Sequence, residues 1–152
     1  MVKRISHKNA TCPVARPLDV VGDSWSLLII RDLFDGLSRF SEIRENIGIA
    51  KNMLAARLRH LRDHGLVETV PASDGGPHQE YVLTAKGRDL FPVLVALRQW
   101  GERHFFTPGE THVRLVDKES RRPVARLEVR SQAGRLLTSD DTVVMGPGLD
   151  RR

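Results

Sequence analysis

A mainly helical fold with a small β component is what this sequence predicts, and three observations carry the prediction. Apolar residues recur at helical spacing through most of the first hundred positions, two alternating β-type runs interrupt that pattern between Leu66 and Thr84, and shorter alternating runs return after His112. At 152 residues, with 40% apolar and 28% charged side chains, the chain can bury one substantial core and carry a small appendage. The pattern change sets the expected boundary, with a main domain over 1–106 and a β-rich extension over 107–152.

Helices come first. Val14, Leu18 and Val21 share a helical face that breaks near Gly22, and Asp23 or Ser24 can cap a second helix from Trp25 to about Phe34, closed by Gly36. That second helix is apolar almost all round, the signature of a central position in a core. In "SRFSEIREN", Ser38 is the candidate N-cap, Glu42 supplies an early acid, and Phe40 and Ile43 point inward. Gly48 turns the chain into "IAKNMLAARLRHLRDHGL", which runs helically from about Ala50 to His64, with Gly65 suited to end it. A short helix, a tight turn and a second helix form a helix-turn-helix.

The second of those helices has two faces. Leu54, Leu58 and Leu61 form a narrow core stripe, and Asn52, Ala56, Arg59 and Asp63 lie opposite, flanked by Lys51, Ala55 and His60. Alanines suit a helix entering a groove, Asn and Arg can read base edges bidentately, and Lys meets phosphate. Taken in isolation, a helix of this composition reads more readily as a solvated basic face. The segment after Gly65 decides between them. "LVETVP" and "QEYVLT" alternate as strands around the turn-rich "ASDGGPH", giving a hairpin whose tip spans about Ser73 to His78. A hairpin directly after a recognition helix is a wing, with His78, Gln79 or the amides of Gly75 and Gly76 placed to touch phosphate. The net charge of +5 and pI near 10.0 fit a double-stranded DNA partner.

After the wing, Thr84 is expected to cap one long helix, "AKGRDLFPVLVALRQWGERHF", kinked or broken near Pro92. Its stripe of Leu90, Val93, Leu94, Leu97, Trp100 and Gly101 is broader than one small domain can cover. In the extension, "HVRLV", "VARLEVR" and "DTVVM" read as strands.

Several function classes drop out. No apolar run reaches the roughly 20 residues of a membrane helix and no signal peptide opens the chain, so a cytoplasmic location is expected. Cys12, the single cysteine, permits no internal disulfide and no paired-cysteine zinc site. His60 and His64 stand four apart but lack the glutamate of a metalloprotease helix, and no phosphate loop, nucleophile elbow or triad spacing is present. The expectation is a non-enzyme with no metal and no cofactor.

"CPVARPLDVVGDSW", "LLIIRDLFDGLSRFSEI", "MLAARLRHLRDHGLVE" and "EYVLTAKGRDLFPVLVALRQWG" together resemble the HxlR-type bacterial transcription regulators, MarR-like winged-helix proteins, from Cys12 to about Gly101. The distinctive parts are Cys-Pro near the start, Arg39-Phe40, the leucine-rich helix ending in Gly65-Leu66, and Tyr81-x-Leu83-Thr84-x-Lys86-Gly87. Two positions depart from the pattern: Ala50 replaces a common capping serine, and "GDSW" lacks the lysine many relatives carry before the tryptophan. The resemblance implies a homodimer built on Leu18, Leu90, Leu94, Leu97 and Trp100, binding a palindromic operator. Its DNA contacts would be Arg39, Lys51, Asn52, Ala55, Ala56, Arg59 and His78, with a small-molecule effector in control. Some thiol-responsive members use an N-terminal cysteine, which Cys12 matches, and Lys8, Arg16 or the first helix's start could favour its thiolate. Competing readings are Cys12 as a small buried side chain, an effector held non-covalently in the dimer cleft, and a winged-helix protein-interaction module that binds no DNA.

Overall fold

The computed structural model describes residues 6–146 and 149–151. The chain divides into two compact units, one ending at Leu94 and the other beginning at Val95.

The first unit is a winged helix-turn-helix. Helix α1 (Ala15–Val21) buries Val21 and leaves Val14 and Leu18 exposed. Helix α2 (Ser26–Phe34) settles the Asp23-or-Ser24 alternative, because Asp23 Oδ1 accepts the backbone N–H groups of Trp25 at 2.9 Å and Ser26 at 3.0 Å. Ile29 and Ile30 are fully buried at the centre of the core. Helix α3 (Phe40–Ile47) starts one residue later than Ser38 would dictate. The flanking residue is Arg39, and Glu42 does the capping: its Oε2 accepts the N–H of Arg39 at 2.9 Å and of Ser38 at 3.2 Å. Between α2 and α3, the fully buried Asp32 carboxylate accepts both Arg31 Nε at 2.9 Å and Asn46 Nδ2 at 3.0 Å, so its charge is satisfied without water. Gly48, at φ 72°, closes α3 in the left-handed region and makes the turn.

Helix α4 (Lys51–Asp63) comes next, one residue inside each expected end. Leu54, Leu58 and Leu61 are buried as the wheel predicts, each contributing about 1.5 to 3 kcal/mol of apolar burial. They join Ile29, Ile30, Ile43, Ile49, Leu66, Val67 and Leu83 in one cluster. Strands β1 (Val67–Pro71) and β2 (Gln79–Leu83) pair antiparallel in the register Val67↔Leu83 through Pro71↔Gln79. Ala72 N–H donates to His78 O at 3.1 Å and closes the tip.

The long helix expected after Thr84, with a kink or break near Pro92, is broken there into α5 (Ala85–Arg88) and α6 (Phe91–His104). Pro92 explains the break: in a continuous helix it could not donate to the Arg88 carbonyl, and its ring would strike that oxygen. Placed in the first turn of α6, it loses no bond, and the helix's first donor is Leu94 N–H to Leu90 O at 3.0 Å.

The second unit begins inside α6, at Val95, and takes in the greater part of that helix together with the extension. Gln99 accounts for this. Its Nε2 donates to Ala125 O at 3.0 Å and its Oε1 accepts Leu127 N–H at 2.9 Å, while Arg98 donates to Val113 O at 3.2 Å. A side chain thus takes the backbone groups that a neighbouring strand would have used. The expected strands "HVRLV" and "VARLEVR" are accordingly reduced to the isolated bridges Val116↔Pro123 and Arg130↔Leu136. The third appears as β3 (Val144–Gly146), paired with β4 (Leu149–Arg151) after a short 3₁₀ turn at Ser139–Asp141.

Candidate nucleic-acid interface

The outward face of α4 is polar and open. Lys51, Asn52 and Arg59 are exposed, Ala55 and Ala56 are half-buried between them, and Asp63 closes the row. None of Lys51, Asn52 and Arg59 has a side-chain partner among the described residues. Ala50 has the extended backbone of an N-cap, φ −63° and ψ 140°, but no side chain to accept the first-turn N–H groups. Arg57 differs from its neighbours: it turns inward, 3.4 Å from Asp23 Oδ2, and braces α4 against the start of α2. Burial raises the Asp23 pKa, but the Ser26 hydroxyl, the N–H groups of Trp25 and Ser26, and Arg57 outweigh it and hold the carboxyl below its ordinary value.

Arg39 is not free to solvent. Its guanidinium pairs with the Asp74 carboxylate at the wing tip and lies 3.6 Å from Glu80 Oε1. Gly76 N–H, 2.9 Å from Asp74 Oδ1, and Arg39 together hold the Asp74 carboxyl below the ordinary carboxylate range. Glu80 is largely buried and accepts Ser73 Oγ at 3.0 Å. His78 is exposed at the end of the tip. No sequence signal announces these pairs, since Arg39 and Asp74 lie 35 residues apart on different elements.

Cys12 is an exposed free thiol, not a buried core side chain. The backbone N–H groups of Ala15 and Val14 lower its pKa. The support is therefore the start of α1 alone; Arg16 Nε donates instead to Ala10 O. His60 and His64 lie with ring centroids 4.4 Å apart, their planes tilted by 50°, and His64 Nδ1 meets His60 O at 2.8 Å. Among the described residues no group of three or more His, Cys, Asp and Glu side chains is placed to hold a metal, and no helix is long and apolar enough to cross a membrane.

The apolar stripe expected at a dimer interface is divided. Leu90 and Leu94 pack, partly buried, against the core of their own unit. Leu18, Leu97 and Trp100 remain 48%, 47% and 48% exposed.

Comparison with known proteins agrees with this architecture. Residues 20–107 match the HxlR-like helix-turn-helix family. An uncharacterised HTH-type transcriptional regulator of Mycobacterium tuberculosis, Rv3095, is 40% identical over 114 residues, covering 75% of this chain and 72% of the relative. The crystal structure of PA1607, predicted to be a transcription factor, is similar with a TM-score of 0.89 at 60% identity, covering 93% of this chain and 99% of that one. That match takes in most of the extension. The Bacillus subtilis regulator YodB in its reduced form matches with a TM-score of 0.52 at 35% identity, covering 66% of this chain and 99% of its own, and YodB has also been solved with quinone bound.

Proposed function

We propose, from the premise that the chain belongs to the HxlR-like helix-turn-helix family of transcriptional regulators and is not an enzyme, that it works as a homodimer on a palindromic operator and senses electrophiles or oxidants through Cys12. The observation that carries the DNA reading is the unpartnered Lys51, Asn52 and Arg59 row, with small Ala55 and Ala56 between them. Asn52 and Arg59 read base edges, the alanines allow close approach, and Lys51 with the open first turn of α4 takes phosphate. His78 and the wing tip run along the backbone. In a two-fold dimer, two such helices address half-sites about one turn of DNA apart.

Footprinting of the purified protein on genomic DNA tests this reading. A protected palindrome supports it. No binding to any sequence, even at low salt, refutes it and favours a protein-interaction module.

A second observation favours the thiol response: Cys12 is exposed and its thiolate is supported by two helix-start amides. YodB, a relative solved both reduced and with quinone, supplies a parallel. Alkylation, a mixed disulfide, or a disulfide to the partner's Cys12 would alter the spacing of the two recognition helices. Operator affinity of the parent and Cys12→Ser is compared before and after diamide or a quinone. Loss of affinity in the parent alone is expected. Equal loss in both proteins discards the thiol and directs attention to a non-covalent ligand in the dimer cleft.

A further inference from the structure

The backbone on either side of Arg39 is fixed before its side chain makes any contact. Tyr81 N–H, on the outer edge of β2, donates to Ser38 O at 2.8 Å, and Glu42 Oε2 accepts the N–H groups of both Ser38 and Arg39. The N-terminus of α3 is therefore stitched to the wing's second strand. From that anchor the guanidinium reaches the wing tip, where it pairs with Asp74 and lies beside Glu80. Asp74 meanwhile shapes the tip by accepting Gly76 N–H at 2.9 Å, and Glu80 holds Ser73 Oγ at 3.0 Å.

Two carboxylates thus sit in the element that a winged-helix protein lays along a phosphate backbone. Left unpaired, the exposed Asp74 would repel DNA, and Glu80 would be a largely buried charge with one hydroxyl for company. Arg39 is the only cation that approaches either within ion-pair distance among the described residues. Its planar fork can address both acids at once, which a lysine cannot do with the same geometry.

We propose that Arg39 is a wing-positioning residue: it neutralises Asp74 and Glu80 and pins the tip in its DNA-ready shape, and it does not itself bind phosphate. This rests on the operator-binding reading. The reading and the inference fail differently, because the Asp74 partner makes the role of Arg39 separable from simple loss of a positive contact.

The experiment measures operator affinity against salt for the parent, Arg39→Gln, Asp74→Asn and the double variant. Arg39→Gln is expected to weaken binding roughly tenfold, the scale of an ionic partner left unpaired. In the double variant the introduced asparagine keeps an acceptor for Gly76 N–H but presents no charge, so the share of the loss that comes from Asp74 should be recovered, Glu80 remaining unpaired, and the salt slope should return to the parent value. A phosphate contact behaves otherwise: the double variant stays as weak as Arg39→Gln with a slope shallower by about one. That outcome overturns the inference while leaving operator binding intact, whereas a parent that binds no operator defeats the underlying reading. Amide exchange in the free protein gives an independent readout. Arg39→Gln should speed exchange at Gly75 and Gly76 with little change in the core amides of Leu54 and Leu58, and unchanged exchange at the tip also overturns the proposal.

Discussion

Replacing Gly87 by Ala sets two physical effects against each other, and the structure gives a magnitude for each. Gly87 lies in the short helix α5, so helix propensity alone favours Ala by about 1 kcal/mol. A Cβ there, however, would stand 2.1 Å from Leu66 O and 3.0 Å from Leu83 Cδ2. Leu66 O is held in place: it accepts Thr84 N–H at 3.1 Å, and around it Thr84 Oγ1 donates to Gly65 O at 2.6 Å and Lys86 Nζ to His64 O at 2.8 Å. Relief requires more than about 1 Å of backbone movement through this knot, which puts the cost at the upper end of overpacking, about 3 kcal/mol. Clash wins, and the net loss is about 2 kcal/mol. For a domain of this size that lowers Tm by roughly 5 to 10 °C. Circular dichroism melts of parent and Gly87→Ala at matched protein concentration make the comparison. A Tm unchanged or raised would show that the α4–α5 knot yields easily and that propensity dominates.

Arg59→Ala should weaken operator binding by about 1 to 3 kcal/mol and relax sequence preference, while Lys51→Ala should weaken all sequences alike and reduce the salt slope by about one; titrations on operator and scrambled DNA separate the two. Light scattering at micromolar concentration should return twice the 17.1 kDa chain mass, and a monomer mass would remove the palindrome from the reading. Ala50→Ser places an acceptor on a backbone already in N-cap geometry and should raise stability by about 0.5 to 1 kcal/mol, seen as a higher urea midpoint. Because the Asp23 pKa is depressed on folding, its contribution is present above the unfolded value and lost as pH falls through the folded one. Melting temperature should therefore drop below about pH 4 more steeply in the parent than in Asp23→Ala, which forfeits the cap at every pH.

Local pattern makes most of the first unit legible. Leu54, Leu58 and Leu61 repeat at helical spacing and are buried together; Gly48 ends a helix because its position demands φ 72°. Where the pattern misleads, long-range contacts decide. Ser38 is a good capping residue by type, but its carbonyl is engaged by Tyr81 N–H and Glu42 supplies the acceptor instead. The extension alternates like a sheet, yet Gln99 of α6 occupies the backbone groups of Ala125 and Leu127. In the candidate site, the open row on α4 comes directly from the helical wheel, whereas the engagement of Arg39 by Asp74 and the inward turn of Arg57 depend on elements brought together only by the fold. Sequence leaves the thiol's support divided between nearby cations and the helix start; in the fold the backbone N–H groups of Ala15 and Val14 are what lower its pKa.

The wing tip, finally, bears on the timing of encounter. Between the paired residues Pro71 and Gln79 the tip is cross-braced by Ala72 N–H to His78 O, Gly75 N–H to Ala72 O, Asp74 to Gly76 N–H and the Arg39 ion pair. A floppy loop of that length would have to surrender about 1 to 2 kcal/mol of backbone entropy per residue on docking. Here folding has already absorbed that loss, so a collision in the right orientation meets a finished surface. On the operator-binding reading, association should then be limited by diffusion and by the attraction between a +5 chain and DNA. Discrimination among sites falls to residence time: good and poor operators should be reached at similar rates and abandoned at very different ones.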